Sequence, residues 1–146
     1  MGRITLDMPE SYIFETTIDV RISDINYGGH LGHDTFVSVL HEARARFISQ
    51  LGYTEVDVEK MTIIVSDLAV VYKSQSFYGD KLKIEIAVTD PNKYGCDLVY
   101  RITHAVNNTL ILQAKTGIVF FDYSKNTITD IPENFMRKTG LTPDPD

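Results

Sequence analysis

One stretch of helical periodicity stands in a chain otherwise made of strand-like segments, and that imbalance limits the fold more than any other feature. From Thr35 to Leu51 the apolar residues Phe36, Val37, Val39, Leu40, Ala43, Phe47, Ile48 and Leu51 recur at three- and four-residue spacing. That spacing places them on one wide stripe of a helix. Asp34 precedes the run as an N-cap, its carboxylate facing the free amides of the first turn, and Gly52 follows as the stop. Glu42 and Arg46 stand four apart, in the favourable order for a surface ion pair. A helix of about 16 residues is about 24 Å long.

The remainder reads as strands. Tyr12 to Ile22 alternates, with Phe14, Thr16, Ile18, Val20 and Ile22 on one face. Met61–Gln75, Lys81–Thr89, Cys96–Val106 and Leu110–Tyr123 are strand segments separated by the turn signals Tyr78-Gly79-Asp80, Asp90-Pro91-Asn92 and Asn107-Asn108. Pro132 to Lys138 reads as a short helix. Turns this short predict an antiparallel meander. One helix with an apolar face and about five strands make an α+β domain, the helix lying across the concave face of the sheet. No linker or repeat divides residues 1–146, and residues 140–146, with Pro143 and Pro145, are expected to form a frayed tail.

Composition excludes several functions. Hydrophobic residues at 43% and charged residues at 23% are those of a globular chain. Fourteen Lys and Arg against 20 Asp and Glu leave a net charge of −6. That argues against a duplex nucleic-acid partner and a polybasic membrane anchor. Cys96 is the one cysteine, so neither an internal disulfide nor a four-cysteine zinc site can form. No run of about 18 apolar residues is present, and Met1 to Glu10 lacks the basic-then-apolar pattern of a signal peptide. The expected compartment is the cytoplasm.

The residues able to do chemistry crowd into Asp24-Ile25-Asn26-Tyr27-Gly28-Gly29-His30-Leu31-Gly32-His33-Asp34, between the first strand and the helix. Glycines let the backbone approach a ligand closely. A helix N-terminus offers free N–H groups and a partial positive charge, which suit a carbonyl oxygen that becomes negative during acyl transfer. A neighbouring Asp or His can activate water. These parts suit hydrolysis of an activated acyl group. His30 and His33 stand three apart, before the helix and with no third ligand marked, so no metal set is expected.

The same residues carry a resemblance. The chain resembles hotdog-fold acyl-CoA thioesterases of the 4-hydroxybenzoyl-CoA thioesterase-like branch, whose signature reads Asp-x-Asp-x-x-Gly-His-Val-Asn-Asn. Here Asp24-x-Asn26-x-x-Gly29-His30-Leu31 matches it. Leu40-His41-Glu42-Ala43-Arg44 resembles the family's Glu-Ala-Arg segment, and Tyr72, Phe77 to Leu82 and Ala114 to Gly117 also fit, so the likeness covers roughly Phe14 to Pro132. The resemblance implies a hotdog fold, an antiparallel sheet wrapped around the central helix. It also implies hydrolysis of an acyl-CoA or acyl-carrier thioester, without a cofactor, in a homodimer or homotetramer with its site at the interface.

The departure lies at Asn26, where the family's usual catalytic Asp falls. An amide is no general base, though it can orient water or a thioester oxygen. In the related plant acyl-carrier thioesterases an Asn and a His take part. The resemblance therefore marks Asn26, Asp24, His30 and His33 as catalytic candidates, and Gly29, Leu31, Gly32 and Tyr72 as substrate-binding ones. Several have a plainer alternative: Asp24 and Asn26 as turn residues, His30 as a structural donor, His33, with Asp34, as a helix cap, Tyr72 as packing. Lys73, Lys81, Arg137 and Lys138 are the cations considered for CoA phosphates. Two other functions fit the same residues: a hotdog hydratase or dehydratase acting on acyl thioesters, and a non-catalytic acyl-CoA-binding module that has lost its base.

Overall fold

A computed structural model describes residues 2–141. Its elements are β1 (Phe14–Asp19), α1 (Thr35–Gln50), β2 (Thr62–Tyr72), β3 (Lys81–Thr89), β4 (Gly95–His104), β5 (Leu110–Asp122), β6 (Thr127–Thr129) and α2 (Glu133–Thr139). The strands form one antiparallel sheet in the order β1-β3-β4-β5-β2, with β6 beside β5. The α+β class holds, as does a single long helix against the sheet.

The order departs from a simple meander. Only β3 to β6 follow one another as paired neighbours, while β2 lies at the far edge beside β5. The turn at Tyr78-Gly79-Asp80 does not fold β3 back on β2. It lays the start of β3 against β1, where Gly79 N–H donates to the Val20 carbonyl and Val20 N–H to that of Asp80. The chain thus crosses from one sheet edge to the other under the N-terminal end of α1. The first strand is also shorter than its alternation suggests. Residues Ile22–Asp24 wind into a 3-10 turn, and Ile22 stays 69% exposed. The sixth strand, β6, has three residues, too few for a period-two pattern to declare itself.

The buried stripe of α1 runs through Phe36, Leu40, Ala43, Phe47 and Ile48, against Leu82, Ile84 and Ile86 of β3, Leu98, Tyr100 and Ile102 of β4, and Leu112 and Ala114 of β5. Val37, on the flank of that stripe, is 40% exposed. One polar side chain enters the stripe: Arg44 is buried, with its guanidinium against Glu55.

A bulge between Val65 and Asp67 shifts the register of β2. It keeps Val65 and Leu68, an odd number apart, opposite the buried Ile118 and Thr116 and so on the helix-facing side. The Asp67 carboxylate fills the irregularity, accepting from Gly117 N–H at 3.1 Å and pairing with Lys115 at 2.7 Å. A Cβ on Gly117 would lie 2.7 Å from that carboxylate, which is why glycine stands there. At the C-terminus, α2 ends at Gly140 in the left-handed region, and Leu141 packs against the core. The remainder of the expected tail, residues 142–146, lies outside the described residues.

Candidate active site

The segment between β1 and α1 folds on itself before the helix begins. Ile25 and Leu31 form an isolated antiparallel bridge, Asn26 N–H donates to the His30 carbonyl at 2.9 Å, and Gly29 N–H to the Asn26 carbonyl at 3.1 Å. The Asn26 side-chain oxygen accepts from Gly28 N–H at 2.9 Å, an Asx turn, leaving its amide N–H groups without a partner among the described residues. Gly29 has φ +84°, the left-handed conformation the turn needs. Tyr27, at the tip, is fully exposed.

Asp34 then caps the helix as its sequence position suggests, one carboxylate oxygen accepting from Thr35 N–H at 2.9 Å. The next two amides are also engaged: Phe36 N–H donates to the Gly32 carbonyl and Val37 N–H to that of Asp34. The N–H groups of Gly32, His33 and Asp34 have no acceptor among the described residues. Three consecutive unpaired donors therefore stand at the positive end of a 16-residue helix. A Cβ on Gly32 would lie 2.7 Å from the Asp34 carboxylate and 3.6 Å from the Asn26 Cβ. Asn26, Gly32 and Asp34 are thus packed side by side, with no room for a larger residue in the middle.

Beside these donors is a cleft of about 310 Å³ lined by His30, Leu31, His33, Phe36, Tyr72, Lys73, Ser74 and Gln75. Its far wall belongs to the end of β2. The Tyr72 hydroxyl donates to the His33 carbonyl at 2.6 Å, and the Tyr72 ring meets that of Phe36 edge-on at 5.8 Å. Leu31 N–H donates to the Ser76 carbonyl at 2.8 Å, fixing the loop to the segment after β2. Partial burial, then the nearby Asp34 charge, push the Tyr72 phenol above its ordinary pKa, so it stays a donor. The His30 imidazole Nδ1 lies 3.3 Å from the Leu31 carbonyl oxygen.

The structure gathers His30, Leu31, His33 and Tyr72 in this cleft, and Asn26, Gly29 and Gly32 in the adjoining loop. Asp24 is placed elsewhere. Its carboxylate accepts from Arg21 N–H at 2.8 Å and pairs with the Arg21 guanidinium at 3.1 Å, closing the 3-10 turn. It lines a separate, more polar cleft with Thr35, Ser38, Glu42 and Arg46. Burial opposes its charge, but the hydrogen bonds from Arg21 and the attraction to that guanidinium outweigh this and hold the carboxyl below its ordinary range. Glu42 faces Arg46 at 3.9 Å. Among the cations considered for CoA, Lys73 lines the site cleft. Lys81 pairs with Asp19, Arg137 with Glu133, and Lys138 reaches the Leu51 carbonyl at the opposite end of α1. Cys96 is buried and its thiol is pushed up to about 12, first by burial and then by Asp97, so it is no nucleophile.

Two features escaped the sequence reading. Asp34 was legible as a cap, but nothing in the chain marks it as the carboxylate packed beside Asn26 and Gly32. Ser74 and Gln75 read as the end of a strand, whereas β2 stops at Tyr72 and they form the cleft wall. Among the described residues, no helix is long and apolar enough to cross a membrane, and no group of three or more His, Cys, Asp or Glu side chains is placed to hold a metal ion.

Comparison with known proteins agrees with this architecture. The fold is similar to that of a 1,4-dihydroxy-2-naphthoyl-CoA thioesterase from Synechocystis, with TM-score 0.80 and 16% identity over 87% of this chain and 95% of that one. It is similar to a DHNA-CoA thioesterase from Staphylococcus aureus, with TM-score 0.75 and 23% identity over 87% and 91%. It is also similar to a 12:0-ACP thioesterase from Umbellularia californica, with TM-score 0.72 and 12% identity over 90% of this chain and 54% of that one. Among proteins of curated function no sequence match is found. The model of the thioesterase-like superfamily matches residues 20–139, from the end of β1 through the site loop, the helix and the whole remaining sheet to α2. With that match spanning most of its length, the chain belongs to the thioesterase-like superfamily.

Proposed function

We propose that the chain hydrolyses an acyl-CoA thioester at the N-terminal end of α1, with Asp34 as the general base. The observation that carries this reading is the row of unpaired N–H groups at Gly32, His33 and Asp34, beside an apolar cleft and a carboxylate. The thioester carbonyl oxygen accepts from these amides. The Asp34 oxygen not engaged with Thr35 takes a proton from water, whose oxygen bonds to the carbonyl carbon. The resulting oxyanion is stabilised by donors already in place. Collapse re-forms the carbonyl, breaks the carbon–sulfur bond and returns the proton to the departing CoA sulfur. Asn26, with free amide N–H groups next to Gly32, orients the water, while His30, His33 and Tyr72 position the thioester. Asp24 holds the loop through Arg21 and does not touch substrate.

Lys73, which lines the cleft, suits a phosphate, which CoA and the phosphopantetheine arm of an acyl-carrier protein both carry; CoA is the carrier proposed. The assembly proposed is a dimer, with a tetramer as its further pairing. Strand β2 is paired on one side by β5 and unpaired on the other, and exposes Val65, Leu68 and Tyr72 at 41–46%. An unpaired apolar edge is a template for a second copy, and that copy would cover the cleft from outside.

The test is release of free thiol from a panel of acyl-CoA esters by the purified chain. Turnover with product carboxylic acid supports the proposal. Hydration of an enoyl thioester without thiol release, or saturable binding without turnover, assigns the site to a hydratase or to a binding module and refutes it.

A further inference from the structure

The cleft at His33 and Tyr72 has a neighbour further along the helix, past Phe36. A second cleft of about 270 Å³ lies between helix α1 and β2, lined by Val37, Leu40, Arg44, Val65, Leu68 and Thr116, among others. The two clefts share no lining residue but lie along the same faces of α1 and β2. On α1, Phe36, Leu40 and Arg44 are successive buried positions of one stripe. On β2, Tyr72, Val70 and Leu68 lie opposite Leu112, Ala114 and Thr116, all buried, so all three face the helix. Eight residues of helix separate Phe36 from Arg44, a rise of about 12 Å.

The groove ends at Arg44, and its sides carry Ser38 and His41 beside the apolar Val37, Leu40, Val65 and Leu68. The Arg44 Nε donates to Glu55 at 3.2 Å and Nη1 to the Tyr100 hydroxyl at 3.5 Å, while Tyr100 and Thr116 share a hydrogen bond of 2.8 Å. A guanidinium has five N–H groups, so three of these find no protein acceptor among the described residues. They are not sealed in: the only fully enclosed, unpartnered side-chain polar atoms among the described residues are the Tyr12 hydroxyl and the Ser76 hydroxyl. Nη2 of Arg44, a residue that lines the groove, is therefore not fully enclosed. The charge there is already balanced, since Glu55 faces Arg44 and also lies 3.4 Å from His41.

We infer that this groove selects acyl groups carrying an uncharged oxygen, a hydroxyl or carbonyl, near their far end, over plain hydrocarbon chains of the same length. The inference rests on the proposed thioesterase reading and names the substrate class of that site. Spare N–H donors at the end of this groove are satisfied by a neutral acceptor and left desolvated by a methyl terminus. A terminal carboxylate would bring a second anion to a guanidinium that is already paired with Glu55.

The experiment compares ω-hydroxyacyl-, unsubstituted and ω-carboxyacyl-CoA esters over a series of chain lengths. For the length that reaches Arg44, kcat/KM for the hydroxyacyl ester should exceed that for the plain ester by about three- to tenfold, the effect of one or two satisfied hydrogen bonds. In Arg44→Met combined with Glu55→Gln, and in Arg44→Lys, that ratio should fall toward one. A ratio of two substrates on one sample is unaffected by any unfolded fraction. Equal rates for hydroxyacyl and plain esters at every length overturn the inference, as does a ratio unchanged in both variants or a preference for the carboxylate. If no ester releases thiol, the hydrolysis reading fails separately. Competition between ω-hydroxyalkyl- and alkyl-CoA thioethers for binding then decides the inference: tighter hydroxyalkyl binding supports it and equal binding overturns it.

Discussion

Two aspartates compete for the role of base, and their surroundings predict opposite outcomes for the same substitution. Asp34→Asn is the informative change because Asn is as good an N-cap as Asp. The amide oxygen keeps the bond to Thr35 N–H, and what is lost is the carboxylate charge at the helix N-terminus, about 0.3–1 kcal/mol. For a domain of this size that lowers Tm by roughly 1–4 °C. The rate should suffer far more. Removing a general base lowers kcat by about 10²–10⁴, equivalent to roughly 2.7–5.4 kcal/mol of transition-state stabilisation. Asp24→Asn should show the reverse pattern. It weakens a pair with an exposed Arg21, so stability should change little, and it leaves kcat within about threefold. Thiol release measured continuously over pH 5 to 9, alongside circular dichroism melting of the same samples, separates the two. A hundredfold loss in Asp24→Asn with near-normal turnover in Asp34→Asn would refute the argument and return the base to the loop.

Asn26→Ala, which deletes the Asx turn and the water-orienting amide, should lower turnover by about tenfold or more while leaving the melting temperature within a few degrees; unchanged turnover removes Asn26 from the site. Asp67 is held below the ordinary aspartate range chiefly by its hydrogen bond with Lys115. The stability it contributes is therefore complete above about pH 4 and lost as pH falls through its depressed folded value. The stability gap between wild type and Asp67→Asn in urea melts should accordingly close in acid, and a gap that widens would contradict the sign. Phe47→Ala empties a fully buried site against Phe14 and should cost about 3–5 kcal/mol, read as a fall in the urea midpoint. Light scattering at micromolar concentration should give at least twice 16.5 kDa, and a monomer would remove β2 as a pairing edge.

The sequence alone determined the helix, its cap and its stop, because these depend on local spacing and on the first-turn amides that Asp34 satisfies. It determined β3 to the residue, since strict alternation of Leu82, Ile84, Ile86 and Val88 leaves no other register. It also pointed to the loop from Asp24 to Asp34 as the place where chemistry collects. Strand order was decided only in three dimensions. Nothing local tells β2 to pair with β5 rather than with β3, because that choice depends on the chain crossing beneath the helix. The partner of each polar group was likewise a tertiary matter. Asp24 and Asp34 are equal carboxylates in a list of residues. One is consumed by Arg21 in a turn, and the other is set beside Asn26 because Gly32 lets the backbone come close enough. Arg44 reads as part of a helix motif, and only packing against Tyr100, Thr116 and Glu55 places its unspent donors at the end of a groove. Side-chain charge is written in the sequence, but which charges meet is set by backbone paths that the hydrophobic core fixes over the whole chain.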